Sequence, residues 1–292
     1  MSDALLINDP DLWLARFPWP TKDGHKHDRG RLYVVSGGVS STGAARMAAR
    51  AGLRIGAGLV TVLSPPAALT VNASQLEAVM VRSFDGPDGL VRAADLASAV
   101  VIGPAAGVGE GTQLNGLALA RTEATLVLDA DALTSFRHDS VRLFGALSLG
   151  APAGKAVMTP HEGEFERLFP GLLRAEGRLA AARKAAATAH AVVLLKGAET
   201  VIAHPDGRAI LNRHASPFLA TAGSGDVLAG LIGGLIAQGM EPFDAAPAAA
   251  WLHGEAARRF GPGLIAEDLP DLIPAVLRDL HARSGTVAAP PR

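Results

Sequence analysis

Cysteine is absent from the 292 residues, which excludes disulfides and thiolate metal sites and agrees with a reducing cytoplasm, the expected location. Charge of one sign is also missing. With 27 Lys and Arg against 28 Asp and Glu, a net charge of -1 and a pI near 6.8, there is no general basic field to hold nucleic acid or an anionic membrane. Any anion site must therefore be local. Apolar runs are short. Val227 to Ala237 is interrupted by glycines and falls well below the roughly 20 residues that a membrane span needs. The opening residues, with Asp3, Asp9, Asp11 and Arg16, lack the basic and apolar pattern of an export signal. No stretch reads as an interdomain linker or a fixed-period repeat.

What is present is 49% hydrophobic and 19% charged, enough for one large α/β domain. Short apolar runs recur between alanine-rich segments: Leu32 to Val35, Val60 to Leu63, Ala99 to Ile102, Leu126 to Leu128, Ala156 to Met158 and Val192 to Leu195. That alternation predicts a mostly parallel sheet with helices on both faces. Ala44 to Arg54 and Arg178 to His190 are good helix formers whose basic residues are spaced to face solvent. Gly197 and Pro205-Asp206-Gly207 separate Val192 to Lys196, Thr200 to Ala203 and Ala209 to Asn212, predicting an antiparallel excursion and a mixed sheet. Residues 1–283 are expected to form a single domain and 284–292 a disordered tail.

The most informative stretch is Ala220-Thr221-Ala222-Gly223-Ser224-Gly225-Asp226, directly before the helical run Val227 to Gln238. Glycines at a helix start let backbone N–H groups converge on an anion, and the helix dipole favours negative charge there. Asp226 at the first turn is either a general base for a hydroxyl attacking phosphorus or an N-cap. No Walker pattern competes for the phosphate. Gly37-Gly38-Val39-Ser40-Ser41-Thr42-Gly43 fails the dinucleotide fingerprint. That cluster and Gly103-Pro104-Ala105-Ala106-Gly107-Val108-Gly109 each read as a ligand-wrapping turn or as plain βα turns. Asp129 and Asp131 end a strand reading across Leu126 to Leu133, where they hold a metal or ribose or cap a helix.

In Thr159-Pro160-His161-Glu162-Gly163-Glu164-Phe165, His161 is a candidate ligand contact and Glu164 either shares its cleft or simply balances a helix dipole. Lys196-Gly197-Ala198-Glu199-Thr200 offers a cation and free amides, or is a solvated hairpin tip. His25-Lys26-His27 lacks a third ligand for zinc, and the helix around Trp251 to Arg259 reads as packing.

Taken in order over roughly residues 20 to 280, these motifs resemble the NAD(P)H-hydrate dehydratase family. The resemblance rests on Lys26 to Gly38, Thr42-Gly43-Ala44, Leu128 to Leu133, Thr159-Pro160-His161 with Gly163-Glu164-Phe165, Lys196-Gly197-Ala198 with Thr200, and Ala220 to Gly230. It implies a ribokinase-like three-layer sandwich, cytoplasmic and homotetrameric. The implied reaction is phosphorylation of the hydroxyl on the hydrated nicotinamide ring of NADH or NADPH, followed by loss of phosphate. ADP is the favoured donor over ATP, with Mg2+.

By the same resemblance Asp226 activates the hydroxyl, and Gly223, Ser224 and Gly225 form the anion hole. Lys196, Gly197, Ala198, Glu199 and Thr200, with Gly225, contact the nucleotide. Ala44, Gly103, Gly107, His161 and Asp226 line the hydrated-dinucleotide site. The metal ligands are left unassigned, and a separate epimerase is expected to interconvert the hydrate epimers. Ala105 and Glu162 depart from the family's usual glycine and proline-glycine pattern, one narrowing a loop and the other adding negative charge beside an anion site. A small-molecule kinase of the same superfamily is the nearest rival, and a non-catalytic nucleotide sensor a more distant one.

Overall fold

In the computed structural model, which describes residues 5–149 and 152–285, the alternation of apolar runs and alanine-rich segments becomes strands and covering helices. The first half contains β1 (Leu5–Ile7), β2 (Arg31–Val35), α1 (Thr42–Arg54), β3 (Leu59–Ser64), α2 (Leu69–Ser74), β4 (Met80–Ser83), α3 (Gly86–Ala93), β5 (Ala99–Ile102), α4 (Glu110–Leu119) and β6 (Thr125–Leu128). Next come α5 (Ala130–Ser135), α6 (Ser140–Ser148), β7 (Val157–Met158), α7 (Glu162–Leu168), α8 (Leu172–Ala189), β8 (Val192–Leu195), β9 (Thr200–Ala203) and β10 (Ala209–Asn212). The C-terminal helices are α9 (Ser224–Ala237), α10 (Pro242–Phe260) and α11 (Leu269–Ser284).

One sheet runs in the order β1-β10-β9-β8-β7-β6-β5-β2-β3-β4. From β8 to β4 all neighbours are parallel, whereas β8, β9 and β10 form the expected antiparallel excursion. The chain leaves β2 toward β3 and β4, then returns to the other side of β2 as β5. This reversal of direction opens a crevice at the carboxyl ends of β2 and β5, where open α/β sheets bind ligands.

Apolar side chains form a core on each sheet face. One gathers Ala45 and Ala48 of α1, Leu231 of α9, Leu252 of α10 and Ile273 of α11. The other gathers Leu90 of α3, Leu133 of α5, Phe165 of α7 and Ala181 of α8. The three layers follow from strands buried on both faces. Close approach of α1 and α9 depends on small residues: a Cβ on Gly230 would lie 2.1 Å from the Ala48 carbonyl oxygen.

Several boundaries differ from the sequence reading. The stretch Leu126 to Leu133 is not one strand: β6 stops at Leu128, and Ala130 at φ +45° turns the chain into α5. Gly177, at φ +73°, breaks α8, so the part beyond the break starts at the expected Arg178. Ser284 ends α11, while the rest of the expected tail beyond Gly285 lies outside the described residues. β1 was not anticipated. It adds in parallel to β10, and Trp13, just beyond it, is buried to 1% exposure against Trp251. No helix among the described residues is long and apolar enough to cross a membrane.

Candidate active site

The glycine-rich turn before α9 forms the centre of the site. Gly223 is the N-cap, at φ +90°, a left-handed conformation that costs a residue with a Cβ about 1–2 kcal/mol. Without a capping side chain, the first-turn amides of Gly225 and Asp226 are left to meet an anion. Asp226 is therefore the third residue of the helix and not its cap. Its carboxylate has no hydrogen-bond partner among the described residues. The Ser224 hydroxyl is committed elsewhere, donating to the Leu219 carbonyl at 2.7 Å; what Ser224 offers the cradle is backbone.

Asp226 is pushed up to about 7, first by burial and then by the negative charge of Asp129, with Lys196 acting in the opposite sense and Asp131 adding to the rise. A carboxyl group in that range is matched to proton transfer near neutral pH. Two strand ends supply the charges around it. Lys196 follows β8, and its ammonium donates to Asp129 Oδ1 at 2.7 Å and stands 4.0 Å from Glu164 Oε2. Burial works against its charge, but Asp129, Glu164 and Asp226 outweigh that and hold its pKa above the ordinary value. Thr159, after β7, donates its hydroxyl to the same Asp129 oxygen at 2.7 Å. A Cβ built on Gly225 would lie 3.5 Å from Lys196 Nζ and 3.8 Å from Asp129 Oδ2, so cradle, cation and carboxylate share one space.

Asp129 occupies the N-cap position of α5 but makes no side-chain cap bond; its first oxygen serves Lys196 and Thr159 instead. Asp131 accepts the Gly107 amide at 2.9 Å and so ties down the loop after β5. Among the described residues no group of three or more His, Asp or Glu is placed to hold a metal ion.

The other expected residues fall around this centre. Ala44 sits in the first turn of α1 at the crevice. The loops after β2 and β5 abut: a Cβ on Gly37 would lie 1.8 Å from the Ala105 carbonyl oxygen. Gly103 packs on the backbone of Asp129, whereas Gly107 faces open space. Ala105 holds φ +50°, where the family's glycine would be at ease. His161 caps α7: its Nδ1 accepts the Glu164 amide at 3.2 Å, and Glu164 Oε2 accepts the His161 amide at 2.9 Å. Glu164 is thus a buried partner in a capping box facing Lys196, beyond any dipole role. Gly197, Ala198 and Glu199 form an exposed turn, with Glu199 paired to Arg213 at 2.7 Å.

Two contributors escaped the sequence reading. Arg178, expected to face solvent, turns inward and donates to the carbonyls of Glu199 at 2.8 Å, Leu195 at 3.1 Å and Lys196, and to the Glu162 carboxylate. It fixes the Lys196–Glu199 turn and neutralises the added charge of Glu162. The neighbouring Gly197 was the available signal, since a Cβ there would lie 2.2 Å from the guanidinium. His253 of α10, inside the helix read as packing, is buried with its ring against the Ser224 backbone. Burial pushes its pKa down to about 4, and its Nε2 has no partner. Its only signal was its place as the one polar residue on the buried face of α10.

A family model described as NAD(P)H-hydrate dehydratase matches residues 32–274. The chain belongs to that family. It is 39% identical over 294 residues to a bifunctional NAD(P)H-hydrate repair enzyme of Moorella thermoacetica, covering 94% of this chain and 54% of the relative. It therefore spans about half the length of the bifunctional relatives. It is 38% identical to an ADP-dependent (S)-NAD(P)H-hydrate dehydratase of Neisseria meningitidis, covering 83% of this chain and 82% of the relative. The structure of the ADP/ATP-dependent NAD(P)H-hydrate dehydratase of Bacillus subtilis, co-crystallised with ATP/Mg2+, superposes with a TM-score of 0.79 at 26% identity, covering 96% of this chain and all of that one. The ribokinase-like architecture expected of the family is the one found.

Proposed function

We propose that this chain dehydrates hydrated NADH or NADPH at the expense of an adenine nucleotide, with ADP the favoured donor as in the Neisseria relative. The observation that carries the reading is Asp226: an unpaired carboxylate, pushed up to about 7, at the mouth of a capless helix N-terminus. Its geometry suits a base that takes the proton of the ring hydroxyl while that oxygen bonds to the terminal phosphorus of the nucleotide. The nucleotide leaves shortened by one phosphate. The ring carbon–oxygen bond then breaks, phosphate departs, a proton is lost from the adjacent carbon, and the reduced dinucleotide is restored.

Each part of the site has a place in this reading. The amides from Gly223 to Gly225 bind the transferring phosphoryl group, and Lys196 supplies positive charge to the phosphates. Lys196 to Thr200, held by Arg178, contact the nucleotide with Gly225. Ala44, Gly103, Gly107 and His161 border the hydrated dinucleotide, with Asp226 at its reacting end. Magnesium carried on the phosphates would need one or two carboxylates at most, and of the site's carboxylates Asp226 is the one without a protein donor among the described residues. The reaction is assigned to the cytoplasm, the assembly to a homotetramer, and epimer interconversion to a separate activity.

The deciding experiment follows absorbance recovery of the reduced nicotinamide band when the protein meets hydrated NADH and magnesium with ADP or ATP. Recovery that requires nucleotide, releases inorganic phosphate and falls by about 10³-fold or more in Asp226→Asn is expected for loss of the base. A stable phosphorylated product without phosphate release sinks the dehydratase reading and favours the kinase.

A further inference from the structure

A cavity beside the cradle runs along α1. It encloses about 870 Å³ and is lined by Gly43, Arg46, Met47 and Arg50 on one side and by Glu77 and Glu267 among the residues opposite. That volume falls within the roughly 300–1,000 Å³ of small-molecule sites. Lining residues extend along α1 from Gly43 to Arg54, about 16 Å at the helical rise.

Groove and cradle adjoin at Met47. This side chain lines the groove, and its methyl lies 2.6 Å from where a Cβ on Gly223 would stand. For a ligand whose reacting end lies at Asp226, the start of α1 leads into the groove, since Gly43 lines it beside Ala44 of the site. The groove is bounded by α1, the segment between α2 and β4, and the start of α11, whereas Lys196 follows β8, across β5, β6 and β7 from the β2 that precedes α1. Donor nucleotide and groove occupant need not compete.

The lining selects the chemistry of that remainder. Arg46, Arg50 and Arg54 recur every four residues and so share one helix face. Arg50 and Arg54 both spend their charge on one carboxylate, Asp271, at 2.5 and 2.8 Å. Arg46 has no carboxylate partner among the described residues: it meets the neutral Gln75 at 3.3 Å, and its buried Nε is unpaired. Guanidinium groups of this kind suit phosphate oxygens. Glu77 and Glu267 supply acceptors for hydroxyl and amino hydrogens. Phosphates, ribose hydroxyls and a ring amine together are what the adenosine half of a dinucleotide presents.

We infer that the groove along α1 binds the phosphate-bearing adenosine half of the hydrated dinucleotide, with Arg46 as its principal phosphate contact, an inference that rests on the dehydratase reading above. The test compares the parent with Arg46→Ala and Arg46→Lys, measuring kcat and KM for hydrated NADPH at saturating ADP. Equilibrium binding of NADPH is measured by calorimetry without nucleotide. Loss of a charge-assisted phosphate contact is expected to raise KM and the NADPH Kd about tenfold in Arg46→Ala while kcat stays within about twofold, with partial recovery in Arg46→Lys.

An unchanged KM and Kd in the folded Ala variant overturns the assignment. A rise in the KM for ADP alone also overturns it, because the groove would then belong to the donor. If the parent fails to restore hydrated NADPH, the dehydratase reading fails, and the calorimetric comparison still decides whether the groove holds a dinucleotide.

Discussion

At Asp226, burial and the charge of Asp129 both oppose ionisation, and Lys196 only partly offsets them. A general base works in its ionised form, so activity is expected to fall about tenfold per pH unit below a limb near pH 7. Replacing Asp129 with Asn removes one of the charges that raise the pKa and frees Lys196, which lowers it. Both effects make ionisation easier, and the limb in the pH profile of kcat/KM is expected at lower pH than in the parent. A limb that stays in place in Asp129→Asn would assign the titration to another group. The position of Asp226 was legible because glycines followed by an acid mark a helix start; that it is the third residue of α9 and not its cap was not. The partners that tune it were not, since Lys196 and Thr159 reach Asp129 across separations of 67 and 30 residues.

Helices and turns hold those residues in place, and Arg178 shows how one side chain governs an element. Four acceptors from the β8–β9 turn and α7 converge on its guanidinium. Hydrogen bonds involving a charged group contribute about 1.5–3 kcal/mol each when made and leave unpaired carbonyls when lost. Arg178→Ala is therefore expected to raise the KM for ADP about tenfold or more with a smaller effect on the KM for hydrated dinucleotide. Equal effects on both substrates would count against the turn as a nucleotide contact. The helix carrying Arg178 was readable from its composition. The inward turn of that arginine was not, because helical periodicity assigns it to the polar side and only the facing turn supplies its acceptors.

The N-terminal segment that precedes the family match beginning at residue 32 is tied into the whole molecule. Asn8 joins β1 to the rest: it donates to Asn212 Oδ1 and to the Pro247 carbonyl, each at 2.8 Å, and accepts from Trp13 Nε1 at 3.1 Å. Trp13 packs on Phe17 and Trp251. We propose that the described residues fold as one domain with this segment included. Urea unfolding is then expected to show a single transition, with Trp13→Ala less stable by about 3–5 kcal/mol. A separate early transition, with the main one unmoved, would show that the segment docks on a core folded without it.

Local pattern in the sequence was enough for the layered α/β class, the excursion at β8 to β10, and the glycine-rich turn that sets Asp226 at the start of a helix. Each depends on local pattern: strand and helix periodicity, turn residues, glycines at a helix start. Long-range packing alone set Asp129 on Lys196 instead of on the cap of α5, turned Arg178 inward, put His253 behind the cradle, and laid Met47 between Gly223 and the groove along α1. These are contacts between residues far apart in the chain, fixed by strand order and by how closely α1, α9 and α10 pack, and no local pattern encodes a partner at such a distance.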